Sequence, residues 1–182
     1  MRALIVGCAA NVWDEVKAAR ELCDFDAVYC VKLAGVHWPA KFKVWATLHP
    51  EFMDKYESER KALGLPNGYE IVAPLPSEVG MHGKKGNIKR RVSYRWPGMN
   101  SSASSGIYAV KVAIEDGYSR IVLAGIPMTK ESGHFTRGKE WNQRDCFLPG
   151  LLKSVPFMKD LVKSMGGYTK ELLGAPTAEW LA

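Results

Sequence analysis

Residues 3–6, Ala-Leu-Ile-Val, form an unbroken apolar run, too short for a buried helix and suited to a strand covered on both faces. A turn of small residues, 7–10, follows at once. Asn11 then stands where a helix cap belongs, and Val12, Val16, Ala19 and Leu22 recur at helical spacing, with Asp14 and Glu15 near the positive end of the helix dipole. A doubly buried strand that runs into a helix needs a neighbouring parallel strand to satisfy its backbone, so this opening constrains the fold more than any other feature.

The same unit recurs along the chain. Residues 27–31, 44–48 and 70–74 read as further strands. Pro50 fits a first helical position, and residues 51–63 carry a helical pattern ending at Gly64. Ser104 and Ser105 can cap a helix that runs to Asp116 and closes at Gly117, and the strand 120–124 follows it. Residues 147–165 read as a last helix, stopped by Gly166 and Gly167. Strands alternating with helices of this length predict an α/β fold with a doubly wound, mainly parallel sheet, Rossmann-like in architecture. At 182 residues, with 47% hydrophobic and 24% charged residues, the chain reads as one domain over residues 1–182.

Two stretches interrupt the pattern. Residues 76–100 have no clear period and read as a long loop, with a short strand at 91–94. Residues 129–146 read as a second, lid-like loop. The net charge of +6 comes from the first of them: residues 79–100 hold Lys84, Lys85, Lys89, Arg90, Arg91 and Arg95 and no acid, which leaves the remainder neutral. Interleaved with Tyr94 and Trp96, this basic loop has three readings: a single-stranded nucleic-acid contact, a cover over a nucleotide's phosphates, or a solvated surface segment.

Several classes are disfavoured. No apolar run approaches the roughly 20 residues of a membrane span, and the opening residues turn acidic too soon for a signal peptide, so a cytoplasmic protein without a membrane partner is expected. Cys8, Cys23, Cys30 and Cys146 form no CxxC pair and have no His at zinc-ligand spacing, so reduced thiols and no metal are expected. The first turn lacks GxGxxG, and GxxxxGK[ST] is absent, which argues against a nicotinamide enzyme and a P-loop phosphotransferase.

In a doubly wound sheet, ligands bind beyond the carboxyl ends of the strands, where helix N-termini present unpaired N–H groups. Residues 7–11, 47–51 and 125–128 are predicted to converge there. Gly7 permits close backbone approach and Asn11 adds a polar tip, although a tight turn with a cap explains both. Ser101, Ser102, Ser104 and Ser105, followed by Gly106, supply hydroxyls and N–H donors suited to a phosphate or a ribose; one of these serines is accounted for as a cap. Of the histidines His37, His49, His82 and His134, two fall near the expected ligand edge. His49 ends a strand. His134, among Lys130, Glu131, Gly133, Thr136 and Arg137, is the stronger candidate for a general base.

Residues 104–128, SSGIYAVKVAIEDGYSRIVLAGIPM, resemble a segment of the bacterial sialyltransferase fold and of the related 6-hydroxymethylpterin pyrophosphokinase-like (MptE-like) superfamily. The matching steps are Ser104-Ser105-Gly106, Gly117-Tyr118 and Gly125-Ile126. The opening strand and turn, and the stretch VWATLHPEF, are similar to further family segments. The resemblance implies that Ser104, Ser105, Gly106 and Gly125 contact a nucleotide. The family's first turn, Gly-Asn-Gly-Pro-Ser, is Gly7-Cys8-Ala9-Ala10-Asn11 here, an expected asparagine on the second strand is Val31, and Pro127 stands where an acid often follows Gly-Ile.

The expected function is a metal-independent, nucleotide-dependent transferase of sialyltransferase-like fold with a nucleotide-sugar-type donor. Gly7, Asn11, His49, Ser104, Ser105, Gly106 and Gly125 would form its ligand edge, Lys89, Arg90 and Arg91 would offset leaving-group charge, and His134 would be its base. No cofactor besides the nucleotide is expected. The alternatives are a non-catalytic protein that binds or sequesters a nucleotide, and a nucleic-acid-associated protein using the basic loop.

Overall fold

A computed structural model describes residues 1–79, 87–100, 103–136, 138 and 140–182. Its seven strands, β1 (Arg2–Val6), β2 (Ala27–Val31), β3 (Val44–Ala46), β4 (Glu70–Ala73), β5 (Arg90–Arg91), β6 (Arg120–Ala124) and β7 (Val162–Ser164), form one sheet in the order β5-β4-β3-β2-β1-β6-β7. Every pairing is parallel. The chain leaves β1, steps outward to β5, returns to β6 on the other side of β1 and ends at β7. The architecture is therefore the expected Rossmann-like, doubly wound α/β fold.

Helices cover both faces because the inner strands are apolar on both. Ala3 and Ile5 of β1 join one core with Ile107, Ala109 and Val110 of α5 (Ser105–Glu115) and Leu151 of α6 (Arg144–Met158). Leu4 and Val6 point to the opposite core, with Val12, Val16 and Ala19 of α1 (Val12–Leu22), Ala34 of α2 (Leu33–His37) and Met53 of α3 (Met53–Ala62). The period of two along β1 thus feeds two layers. α5 is apolar nearly all round, as suits a helix enclosed between the sheet and its neighbours. Among the described residues, no helix is long and apolar enough to cross a membrane.

Several sequence expectations shift. The helix expected over 147–165 is α6 followed by β7, since Val162 and Ser164 bury themselves against β6 and a three-residue strand is too short to show a period. The stretch 51–63 opens as a 3-10 turn, Pro50–Phe52, before α3. The expected strand at 91–94 is β5, paired through Arg90 and Arg91 to Val72 and Ala73. The loop 76–100 begins with a short helix, α4 (Pro76–Val79), and the lid-like loop ends at α6, so residues 144–146 are helical. The elements α2, α7 (Gly167–Leu173) and α8 (Ala178–Leu181) were not expected.

Candidate ligand site at the sheet crossover

The strand order makes β1 and β6 parallel neighbours whose helices lie on opposite faces, α1 on one and α5 on the other. This is the crossover at which a doubly wound sheet opens a crevice beyond its carboxyl edge. The turns after the two strands are tied directly: Gly7 N–H donates to Ala124 O at 2.7 Å, and Ala9 N–H to Gly125 O at 3.1 Å. Gly7 must lack a side chain, because a Cβ there would lie 2.2 Å from Gly125 O and 2.4 Å from Ile126 Cγ1.

Ser104 and Gly106 flank the same crossover from the α5 side. Ser104 Oγ accepts the Ile107 N–H at 3.3 Å and is the expected cap. A Cβ on Gly106 would sit 2.8–3.0 Å from three Ile126 side-chain carbons, so Ile126 fills the space between the first turn and the start of α5. Between them lies Ser105, 5% exposed, whose hydroxyl has no hydrogen-bond partner among the described residues. A buried hydroxyl left unpaired costs roughly 1–3 kcal/mol. It stands on the first turn of an eleven-residue helix, where the aligned peptide dipoles favour negative charge.

On the α1 side the crevice is already occupied. Glu15 Oε2 accepts the Gly125 N–H at 2.6 Å, and Glu15 Oε1 accepts from Asn11 Nδ2 at 2.9 Å. Asn11 was expected to cap α1; its side chain makes no cap bond because Glu15 draws the amide one turn along the helix. Burial pushes the Glu15 carboxyl up from its ordinary range, against the opposing effect of the Gly125 and Asn11 hydrogen bonds. Glu15 was not singled out from the sequence. The signal was present: it falls on the stripe of Val12, Val16 and Ala19, where an acid has no reason to be unless it is bonded inside.

The lid-like loop closes over the first turn. Ala10 N–H donates to Ser132 O at 3.1 Å, and Phe135 N–H to Cys8 O at 3.1 Å. Phe135 packs edge-on to Trp13 and His37, on the α1 side of the sheet. His134 stacks on Phe135, and its Nδ1 lies 3.2 Å from Thr136 N and 2.9 Å from Thr136 Oγ1. The first turn therefore stands between His134 and Ser105. His49 follows β3, with β2 between it and the crossover, and its Nδ1 lies 3.2 Å from Glu51 Oε1.

The basic residues disperse. Arg90 begins β5, the outermost strand, separated from β1 by three strands, and pairs with Glu70 at 3.1 Å and Asp116 at 2.7 Å, while Tyr29 OH donates to the same Asp116 at 2.5 Å. Arg91 Nη1 donates to Pro74 O, and Lys89 is exposed, its N–H bonded to Ile71 O. His82, Lys84, Lys85, Ser101, Ser102 and Arg137 lie outside the described residues.

Two of the shallow surface grooves among the described residues are lined by residues outside the crossover. One, of about 420 Å³, lies between α3 and the segment leading into β4, lined by Glu57, Lys61 and Tyr69. The other, of about 290 Å³, lies beside the lid-like loop, lined by Lys130, Arg144 and Tyr168. Ser105 lines neither of them. Among the described residues, no three His, Cys, Asp or Glu side chains are placed to hold a metal ion. Cys8 Sγ lies 3.4 Å from Val31 O, and burial pushes its thiol up to about 11, so it is not a thiolate at neutral pH. Comparison of the chain with family models, with curated proteins and with solved structures returns no match.

Proposed function

We propose that this chain is a nucleotide-binding protein that holds a phosphate at the start of α5, through Ser104, Ser105 and Gly106. The observation that carries the reading is the Ser105 hydroxyl, buried and unpaired on the first turn of a long helix beside the β1/β6 crossover. An incoming phosphate oxygen would satisfy that hydroxyl and the helix N–H groups together. The resemblance of residues 104–128 to the sialyltransferase-like segment supports a nucleotide as the bearer of the phosphate.

Titration calorimetry of the protein with nucleotides and nucleotide sugars tests this. A hydrogen bond to a charged group contributes roughly 1.5–3 kcal/mol, so Ser105→Ala should weaken the best ligand about 10- to 100-fold. If no member of the panel binds, or if Ser105→Ala binds as tightly as the parent, the reading fails.

A second reading, group transfer from the nucleotide, draws on the loop bearing His134, which is bonded to the first turn at the same edge of the sheet. It requires His134 to cross from the α1 side when a ligand binds. Under it, His134→Ala abolishes turnover of a nucleotide sugar and leaves affinity intact; a parent protein with no turnover removes it. Binding of nucleic acid through the basic loop is less well supported, since Arg90 is already neutralised by two carboxylates. That reading predicts an affinity falling steeply with salt and depending on Lys89 and Arg91.

A further inference from the structure

The crossover has a second set of donors, distinct from the start of α5. Gly125 N–H is the first amide beyond β6, and Asn11 Nδ2 stands one turn before Glu15 on α1. Both point at the same group, the Glu15 carboxylate, at 2.6 and 2.9 Å. These are the lengths of charge-assisted hydrogen bonds, so the pair is a working oxyanion seat whose occupant belongs to the protein itself.

The surroundings are cut to the occupant. A Cβ on Gly166, which follows β7, would lie 2.3 Å from Glu15 Oε1, so the bare backbone there makes room for the carboxylate. A Cβ on Gly125 would lie 2.4 Å from Val12 Cγ2, and Gly125 itself adopts a positive φ of 69°, which turns its N–H toward α1. Three chain segments, α1 and the turns after β6 and β7, thus shape one small enclosure. Among the described residues Glu15 forms no ion pair; these two donors hold its charge, with a lesser attraction from Lys170.

We propose that Glu15 is a built-in competitor for an oxyanion at the β1/β6 crossover: while its carboxylate holds Gly125 N–H and Asn11 Nδ2, external anions are excluded, and its withdrawal opens a second anion-binding site there. A buried carboxylate repels a second anion a few ångströms away strongly, because little water lies between them to screen it. Burial pushes the Glu15 carboxyl up, so the charged form that excludes other anions is held at a cost and its withdrawal is eased. This site lies on the α1 side of Ile126 and does not depend on the proposed phosphate seat at Ser105.

Sulfate is the probe, since it keeps its charge across the working pH range. Its binding is followed by amide chemical shifts at pH 7 in the parent protein, in Glu15→Gln, in Ser105→Ala and in the double variant. Glu15→Gln keeps the side-chain length but removes the charge, leaving a neutral amide that a sulfate oxygen can displace from Gly125 N–H. The expected result is about tenfold or greater tightening of sulfate binding in Glu15→Gln, with the Gly125 amide moving, and the same gain in the double variant. Sulfate shifts confined to residues 105–107, or a Gly125 amide that responds equally in parent and Glu15→Gln, overturn the proposal while leaving the Ser105 reading intact. Loss of binding on Ser105→Ala alone, with the Gly125 response of Glu15→Gln preserved, separates the two sites. Should Glu15→Gln fail to fold, Glu15→Ala, which removes the carboxylate altogether, carries the same expected direction and the same refuting result.

Discussion

Replacing Gly7 by Ala strikes the point where the turns after β1 and β6 meet. The new Cβ would sit 2.2 Å from Gly125 O, and relieving it even to 3.0 Å requires the two backbones to part by 0.8 Å. Backbone cannot swing aside as a side chain does, and the Gly7 N–H bond to Ala124 O and the Ala9 N–H bond to Gly125 O stretch with it. Overpacking costs about 1–3 kcal/mol, a weakened hydrogen bond about 1 kcal/mol, and the lower entropy of the unfolded Ala chain returns about 0.4–1 kcal/mol. The net loss is about 3 kcal/mol, or roughly 6–12 °C in Tm for a domain of this size. Gly106→Ala is the matched control. Its Cβ meets only the Ile126 side chain at 2.8–3.0 Å, which can rotate, and Ala gains about 1 kcal/mol of helix propensity, so the variant should lie within about 1 kcal/mol of the parent. Urea unfolding of the three proteins decides. A Gly7→Ala variant within about 0.5 kcal/mol of the parent, or one more stable than Gly106→Ala, would refute the close approach of the two turns.

Arg60 is fully buried, and its guanidinium donates to four carbonyls, Gly35, Trp38, Ala40 and Pro66, with no acid partner among the described residues. Arg60→Met orphans all four and should cost about 3–5 kcal/mol in urea unfolding, whereas a cost below about 1 kcal/mol would show that they find other donors. Burial works against the Asp116 carboxylate, but Arg90 and the Tyr29 hydroxyl outweigh it and hold its carboxyl below the ordinary range. Its ionised form therefore stabilises the fold above that range, and the contribution is lost as pH falls through and below it. The Tm advantage of the parent over Asp116→Asn should accordingly shrink between pH 7 and about 3; an advantage that stays constant contradicts the assignment. Phe135→Ala removes the ring that seats the lid-like loop against Trp13 and His37. Hydrogen exchange should quicken at the Ala10 and Phe135 amides with little change in global stability, and unchanged protection there would show that the ring is not what holds the loop.

The sequence carried the elements that are long or doubly buried. β1, β2, β6, α1 and α5 announce themselves through apolar runs and helical spacing, and their order alone predicts a parallel sheet with the first turn and Ser105 at one edge. What it did not carry is short or depends on contact. β7 has three residues and β5 two, and each is a strand only through pairing with β6 or β4. α2 follows Lys32, a non-glycine residue with φ of 46°, a bend no local pattern announces. The site shows the same division. Ser104 as a cap follows from residue type, whereas the bond between Asn11 and Glu15, the Ile126 side chain in the crevice and the capture of Arg90 at the far edge are tertiary facts. Arg90 illustrates the point: a run of basic residues reads as one patch, yet strand pairing sets Arg90 beside Glu70 and Asp116, which neutralise it.

Amide chemical-shift mapping during titration with a nucleotide bears most closely on the proposed phosphate seat. The reading predicts that the largest shifts fall on Ser105, Gly106 and Ile107 and collapse in Ser105→Ala. Shifts centred on the Lys130, Arg144 and Tyr168 groove with residues 105–107 unmoved, or no shifts at all, would contradict it.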